Sequence, residues 1–163
     1  MKVFIKNKLI SIEGSSEVLN EQQEVIYKIE GKLISPTKKK RMYDKDGKLL
    51  YTIRNKWFTF FKHKTFVIDA NKTRVATIVK NKWSFNHKYK IVDCLDEMEI
   101  NGKFFSRTST ILKNGQEVAT ITREALALTD CFVLEANEED IEFLTALVIA
   151  FDNIVDNRQG EDR

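Results

Sequence analysis

The chain has 163 residues, 42% of them hydrophobic and 31% charged, with a formal net charge of +3 at pH 7. That balance suits one folded domain with a full core and excludes a disordered chain or a set of membrane spans. One proline and six glycines leave no room for a linker, so a single domain over residues 1–157 with a polar tail at 158–163 is expected.

The N-terminal MKVFIKNKLISI alternates lysine with apolar residues and lacks the continuous apolar core of a secretory signal. A cytoplasmic protein, at most peripheral to a membrane, is expected. β-branched or alternating runs predict strands at Val3 to Ile5 and Leu9 to Ile12, followed by a soft stretch from Gly14 to Gln23. Further strands are predicted at Glu24 to Ile34, Arg41 to Asp44, Leu49 to Arg54, Thr65 to Asp69, Thr73 to Val79 and Lys88 to Asp93. The last three run from Glu97 to Lys113, Glu117 to Thr122 and Asp130 to Glu135. Asp46-Gly47 and Asn114-Gly115, flanked by apolar residues, are hairpin signals.

The last element differs in kind. From Ile141 through Leu144, Leu147, Val148, Ile149 and Phe151 to Ile154 the apolar residues cover most of a helix surface instead of one stripe. A membrane span needs about 20 such residues, and this run is interrupted by Glu142 and stopped by Asp152. Asn137 is the expected N-cap, and Glu138, Glu139 and Asp140 place negative charge at the positive end of the helix dipole. A helix that is apolar on nearly all sides must be enclosed. With about a dozen strands upstream of it, the fold expected is mainly β: a closed barrel surrounding one hydrophobic C-terminal helix.

Internal repeats support that plan. IEGKLIS (Ile29 to Ser35) returns as INGKFFS (Ile100 to Ser106), and KDGKLLYTI (Lys45 to Ile53) as KNGQEVATI (Lys113 to Ile121). A partial third copy relates TIRNKW from Thr52 to TIVKNKW from Thr77, and HKTFVID from His63 to HKYKIVD from His87. Gly31 and Gly102, in equivalent places, are expected to mark bulges or bends in long strands.

The pattern Y-x-I-x-G-K-x-x-S (Tyr27 to Ser35), the two hairpins and the closing ALVIAFDNI (Ala146 to Ile154) resemble the LURP-one-related family of the tubby C-terminal-like superfamily, its small bacterial members above all. The resemblance covers nearly the whole chain and implies a barrel of about twelve strands around a central helix. It also implies a context of lipid chemistry: tubby binds phosphoinositides, and phospholipid scramblases share the superfamily. None of tubby's lipid-binding residues is carried over, because none matches position by position.

Charge is the functional hint that the residues supply unaided. Lys32 to Asp93 holds 17 Lys or Arg against four Asp, whereas from Cys94 onward six Lys or Arg face 15 Asp or Glu. Candidate anion-binding residues are Lys38, Lys39, Lys40, Arg41, Arg54, Lys56, Lys62, Lys64, Lys80, Lys82 and Lys88, with Lys90 beside them. Interleaved Trp57, Phe58, Phe60, Phe61, Trp83 and Phe85 suit an amphipathic interface. The partner expected is an anionic membrane surface or a phosphoinositide-like headgroup. The alternatives are a solvated wall on a protein-interaction module, and a scramblase-like, calcium-linked lipid function resting on the acidic stretch Glu135 to Glu142. That stretch lacks the EF-hand spacing and turn glycine, and capping the helix and opposing its dipole account for its residues better, so no metal is assigned to it. No nucleic-acid reading platform is present in the motif order.

Catalytic motifs are absent: there is no nucleophile elbow, phosphate-cradling glycine loop or HExxH. His63 and His87 hold matching repeat positions, which common ancestry explains more economically than a metal or acid–base role, with no third ligand in the pattern. Cys94 and Cys131 form no CxxC motif and are expected to be free thiols. A non-enzymatic domain without cofactor or metal is the expectation.

Overall fold

A computed structural model describes residues 1–6, 15–31, 35–57, 62–81, 88–102, 107–126 and 129–161. Twelve strands, each antiparallel to its sequence neighbour, form a closed barrel in which β1 (Lys2–Lys6) pairs with β12 (Thr129–Ala136). Between them, in chain order, lie β2 (Ser16–Leu19), β3 (Val25–Gly31), β4 (Lys40–Asp44), β5 (Leu49–Asn55), β6 (Lys62–Asp69) and β7 (Arg74–Asn81). The ring continues through β8 (Lys88–Val92), β9 (Met98–Asn101), β10 (Thr108–Lys113) and β11 (Gln116–Leu126). Closure satisfies every strand's ladder and leaves no edge for another chain to pair with. Helix α1 (Ile141–Glu161) follows a 3-10 turn at Glu138–Asp140 and occupies the lumen.

The helix answers the composition that demanded enclosure. Every residue from Leu144 to Ile154 is buried, and Leu144, Leu147, Val148, Ile149, Phe151 and Ile154 meet inward residues of the strands in one core with Ile141 at its start. Strand alternation supplies the lining: Ile29, Met42, Ile53, Val67, Ile78, Ile100, Ile111 and Ile121 all point in. Each such aliphatic side chain contributes about 2 kcal/mol of burial. Thr145, the one polar residue inside the apolar run, satisfies its hydroxyl on the Ile141 carbonyl one turn back, at 2.6 Å.

The sequence repeats are repeats of the barrel. Ile29 and Ile100 sit at matching inward positions on β3 and β9, and the β4–β5 hairpin corresponds to β10–β11, with Ile53 and Ile121 both inward. In the partial copy, Thr65 and Val67 of β6 correspond to Tyr89 and Ile91 of β8, and all four are buried. Asn114 and Gly115 both adopt positive φ, 52° and 79°, as a tight hairpin requires. Gly47, at φ 81°, closes the other hairpin, where Asp44 Oδ1 accepts from the amides of Asp46 and Lys48 at 2.9 Å each.

Four local expectations are corrected. The soft stretch contains β2, four residues whose Val18 and Leu19 face the core. The strand expected from Glu97 to Lys113 is two, β9 and β10, separated after Asn101. The glycines do not bulge: Gly31 ends β3 and Gly102 follows β9, while register shifts fall at Val18/Leu19, Met42/Tyr43, Val67/Ile68 and Ile111/Leu112. Gly102 is required by close approach, since a Cβ there would stand 2.0 Å from Ser109 Oγ and 2.6 Å from Ser109 Cβ. Asn137 precedes the 3-10 turn without a side-chain cap; its carbonyl accepts from Asp140 N at 3.2 Å. The strand expected at Leu9 to Ile12 lies outside the described residues.

Candidate functional site: a basic wall and a polar lumen end

An antiparallel meander gives the barrel two unlike ends. At one, tight turns join β2–β3, β4–β5, β6–β7, β8–β9 and β10–β11; at the other, here the far end, lie the opposite ends of the same strands. The helix enters from the tight-turn end, where the Phe143 ring lies 6.4 Å from that of Tyr51, and reaches the far end, where Asn153 O accepts from Asn55 Nδ2 at 3.4 Å. Four residues of β5 span about 13 Å and ten residues of helix about 15 Å. Helix and strand therefore advance together.

This geometry sorts the charges of residues 32–93. All four aspartates serve the tight-turn end. Asp44 and Asp46 belong to the β4–β5 turn, and Asp69 Oδ1 accepts from Thr73 N at 2.8 Å in the β6–β7 turn. Asp93, leaving β8, accepts from Thr77 Oγ1 at 2.6 Å and lies 3.9 Å from Arg74 Nη1. The far half of the same wall carries cations. On the outer face Lys64 lies opposite Val79, Val79 opposite Lys90, and Lys90 opposite Glu99. Lys56, whose amide donates to the Lys64 carbonyl at 2.9 Å, continues that row onto the end of β5, and Lys62 and Lys88 lie nearer the rim. Glu99 bounds the patch, holding Lys88 Nζ at 3.5 Å. Lys39, Lys56, Lys62 and Lys90 are exposed and have no ion-pair partner among the described residues. Trp57, next to Lys56, is 77% exposed.

Of the other predicted anion ligands on this side, Arg54 is already employed within the fold, and Lys38 is engaged through its backbone. Arg54 stacks over Phe66 with its Cζ 5.4 Å from the ring centroid; Arg74 covers the same ring at 4.1 Å, and together they shelter an outward-facing phenylalanine. Arg41 is exposed on β4, directly opposite Glu30. Lys38 holds a positive φ of 44°, and its carbonyl accepts from Asn153 Nδ2 at 3.0 Å.

Two candidates depart from the outer wall altogether. Lys80, on the same side of β7 as Ala76 and Ile78, is 2% exposed, lies opposite His63, and places its Nζ 4.9 Å from the centroid of the Tyr89 ring. Lys40 pairs across the ladder with the inward Ile53 and turns its ammonium to Asp152 Oδ2 at 3.1 Å. Lysine's position in sequence did not reveal its face; strand parity did. Lys82 and His87 lie outside the described residues, as do Phe58, Phe60, Phe61, Trp83 and Phe85.

These inward residues belong to a polar ring at the far end of the lumen, composed of buried Ser16, Asn55, His63, Lys80 and Ser109 and half-buried Lys40 at the level of Asp152 and Asn153 of the helix. Thr65 Oγ1 donates to Asn55 Oδ1 at 2.6 Å within it. Asn153 is fully buried, and its Oδ1 has no hydrogen-bond partner among the described residues. The Lys40–Asp152 pair lines a narrow crevice with Ser16, Ile29 and Val148. An ion pair and amide bonds at this level fix the rotation and depth of a helix whose apolar surface alone would allow it to slide. The sequence signal for the ring was Asp152-Asn153 at the end of an otherwise apolar run.

At the opposite end, burial and the neighbouring Glu142 carboxylate, which takes its hydrogen bond, push the Tyr51 phenol up to about 12. Tyr27, half-buried beside the same carboxylate, is raised as well, chiefly by burial. Both thiols are free. Burial raises that of Cys131, and also that of Cys94, which donates to the Asp96 carbonyl at 3.1 Å. Among the described residues no group of three or more His, Cys, Asp or Glu could hold a metal ion, and no helix is long and apolar enough to cross a membrane.

Comparison with known proteins accords with this architecture. The LURP-one-related family pattern matches residues 1–152. The uncharacterised protein YxjI of Bacillus subtilis (strain 168) is 25% identical over 163 residues, covering 99% of this chain and 98% of the relative. The X-ray structure of an Arabidopsis thaliana protein superposes with a TM-score of 0.55 at 14% identity, covering 94% of this chain and 91% of that one.

Proposed function

Since the chain belongs to the LURP-one-related family, a family resemblance that leaves the ligand open, we propose from its charge geometry that it is a non-enzymatic binding domain recognising anionic phospholipid headgroups through the far half of the β4–β8 wall. One observation carries this reading: along that wall the carboxylates are confined to the tight-turn end, and Lys39, Lys56, Lys62, Lys64 and Lys90 hold the other half. A field sorted along the barrel axis attracts a planar anionic surface in one orientation. Each lysine near such a surface is worth about 1 kcal/mol. A protein-interaction module without a lipid ligand is the rival, and ionic strength separates the two.

The test is flotation with phosphatidylcholine vesicles, alone or containing phosphatidylserine or a phosphoinositide, at low and high salt. Binding confined to the anionic vesicles and lost in high salt supports the reading. A Lys56→Gln/Lys62→Gln/Lys64→Gln variant should bind roughly a hundredfold more weakly, while Lys72→Gln, in the tight β6–β7 turn, should not change binding. Absence of binding, or binding indifferent to salt and to the triple substitution, overturns it.

A further inference from the structure

Trp57 is at odds with its surroundings. A large indole 77% exposed forgoes about 2 kcal/mol of available burial, and the adjacent backbone is well fixed, since Lys56 N extends the β5–β6 ladder to Lys64 O at 2.9 Å. Thus the side chain is held out at the rim of the far end. Its surroundings are cationic: Lys56 precedes it, Lys62 and Lys64 lie on the neighbouring strand, and Lys39 is exposed in the connection entering β4, where Thr37 O accepts from Asn55 N at 2.7 Å. From Ser35 to Tyr43 and from Ile53 to Phe66 the sequence contains no Asp or Glu. An exposed indole that follows Lys56 at the end of a lysine-rich strand pair, in segments without an Asp or Glu, suits the boundary between lipid headgroups and acyl chains, where the ring is partly buried, its N–H stays hydrated, and lysine stems extend along apolar surface with their ammonium groups in the headgroup layer.

We propose that the barrel docks on anionic membranes with its far end foremost and that Trp57 is the residue that enters the interface. The inference rests on the membrane-binding reading and deepens it, converting a wall that attracts into a rim that inserts. The partner is a bilayer surface and not an acidic protein: a polyanionic peptide would be satisfied by the lysines alone and would gain nothing from an indole held beyond them.

The intrinsic fluorescence of Trp57 tests this directly. The chain contains two tryptophans, so the difference between the native protein and Trp57→Phe isolates this indole. Spectra are taken with phosphatidylcholine/phosphatidylserine vesicles, with and without brominated acyl chains, beside a parallel flotation assay. The expected result is a blue shift of the Trp57 emission on the anionic vesicles, quenching by the brominated chains, and roughly tenfold weaker flotation for Trp57→Ala. Substitution at so exposed a position should leave the thermal midpoint in place, and circular dichroism verifies that the variant is folded. Flotation of the native protein with an unshifted, unquenched Trp57 would overturn the rim-insertion proposal and leave the membrane-binding reading standing. No flotation at all would overturn both, and an acidic peptide that shifted Trp57 where vesicles did not would replace the bilayer by a protein partner.

Discussion

Lys40 was an anion-ligand candidate in the sequence and is a helix anchor in the fold, and a double-mutant cycle with Asp152 measures which description holds. The Lys40 and Asp152 side chains retain 22% and 11% of their exposure, and Nζ lies 3.1 Å from Oδ2. Exposed ion pairs contribute about 0–1 kcal/mol, whereas removing one partner of a fully buried pair costs about 3–5 kcal/mol. Lys40 still touches water and Asp152 has further interactions, so the pair falls between these limits. Lys40→Met should destabilise by about 2 kcal/mol, Asp152→Asn by a similar amount, and the double variant by less than the sum, leaving a coupling energy of about 1.5 kcal/mol. Urea unfolding followed by far-ultraviolet circular dichroism gives all four corners. A coupling below about 0.5 kcal/mol would refute the argument that the pair anchors the helix. Because Lys40 faces inward, its replacement should leave the affinity of the folded protein for anionic vesicles within about threefold of native, which a membrane-facing lysine would not do.

Three further perturbations probe the fold. Leu147→Asp or Ile149→Asp puts an uncompensated carboxylate on a lumen-filling residue, at 0% and 2% exposure; either should abolish the cooperative unfolding transition, and a folded, strand-rich spectrum would exclude the enclosed helix. Gly102→Ala should cost about 1–3 kcal/mol, with Ser109→Ala, which removes the Oγ 2.0 Å from the added methyl, recovering part of the loss in urea titrations and Ser109→Gly, which removes the Cβ at 2.6 Å as well, recovering more. Tyr51, raised in the folded state to about 12 from 10, lends stability that is complete below pH 10 and lost as pH rises from 10 to about 12. With the ring only partly buried, this amounts to about 1 kcal/mol. Tyr51→Phe should flatten that part of the stability–pH curve, and an unchanged slope would assign it to other groups.

The enclosed helix was legible because Ala146 to Phe151 is apolar around its whole circumference, which only a surrounding wall can satisfy. Both hairpins were legible because Asp-Gly and Asn-Gly are chemically suited to their turns. Strand β2 escaped notice because Ser16 to Leu19 is too short to establish a period. Faces escaped too. A charged residue's side of a barrel depends on strand parity, and the register shifts at Met42/Tyr43 and Val67/Ile68 break the count between neighbouring strands. Thus Lys40, Arg41 and Lys80 looked alike in sequence, and the fold gives them three different positions. The axial sorting of charge required the meander itself, since only topology places Asp44, Asp69 and Asp93 at one end and Lys56, Lys62 and Lys88 toward the other.

Closure of the ring by the first and last strands imposes an order on the birth of this protein. Strand β1 has two neighbours, β2 and β12, and the second emerges only after Thr129 has been synthesised; the filler of the lumen follows, from Ile141. At about 5–20 residues per second, the first strand waits roughly 7 to 30 s for the helix that will cover it. During that interval the growing meander is an open sheet with two bare edges and an uncovered apolar face. Strand pairing can therefore begin at the N-terminus and spread, but neither closure of the ring nor burial of its inner face can be completed until the last strand and the helix have been made.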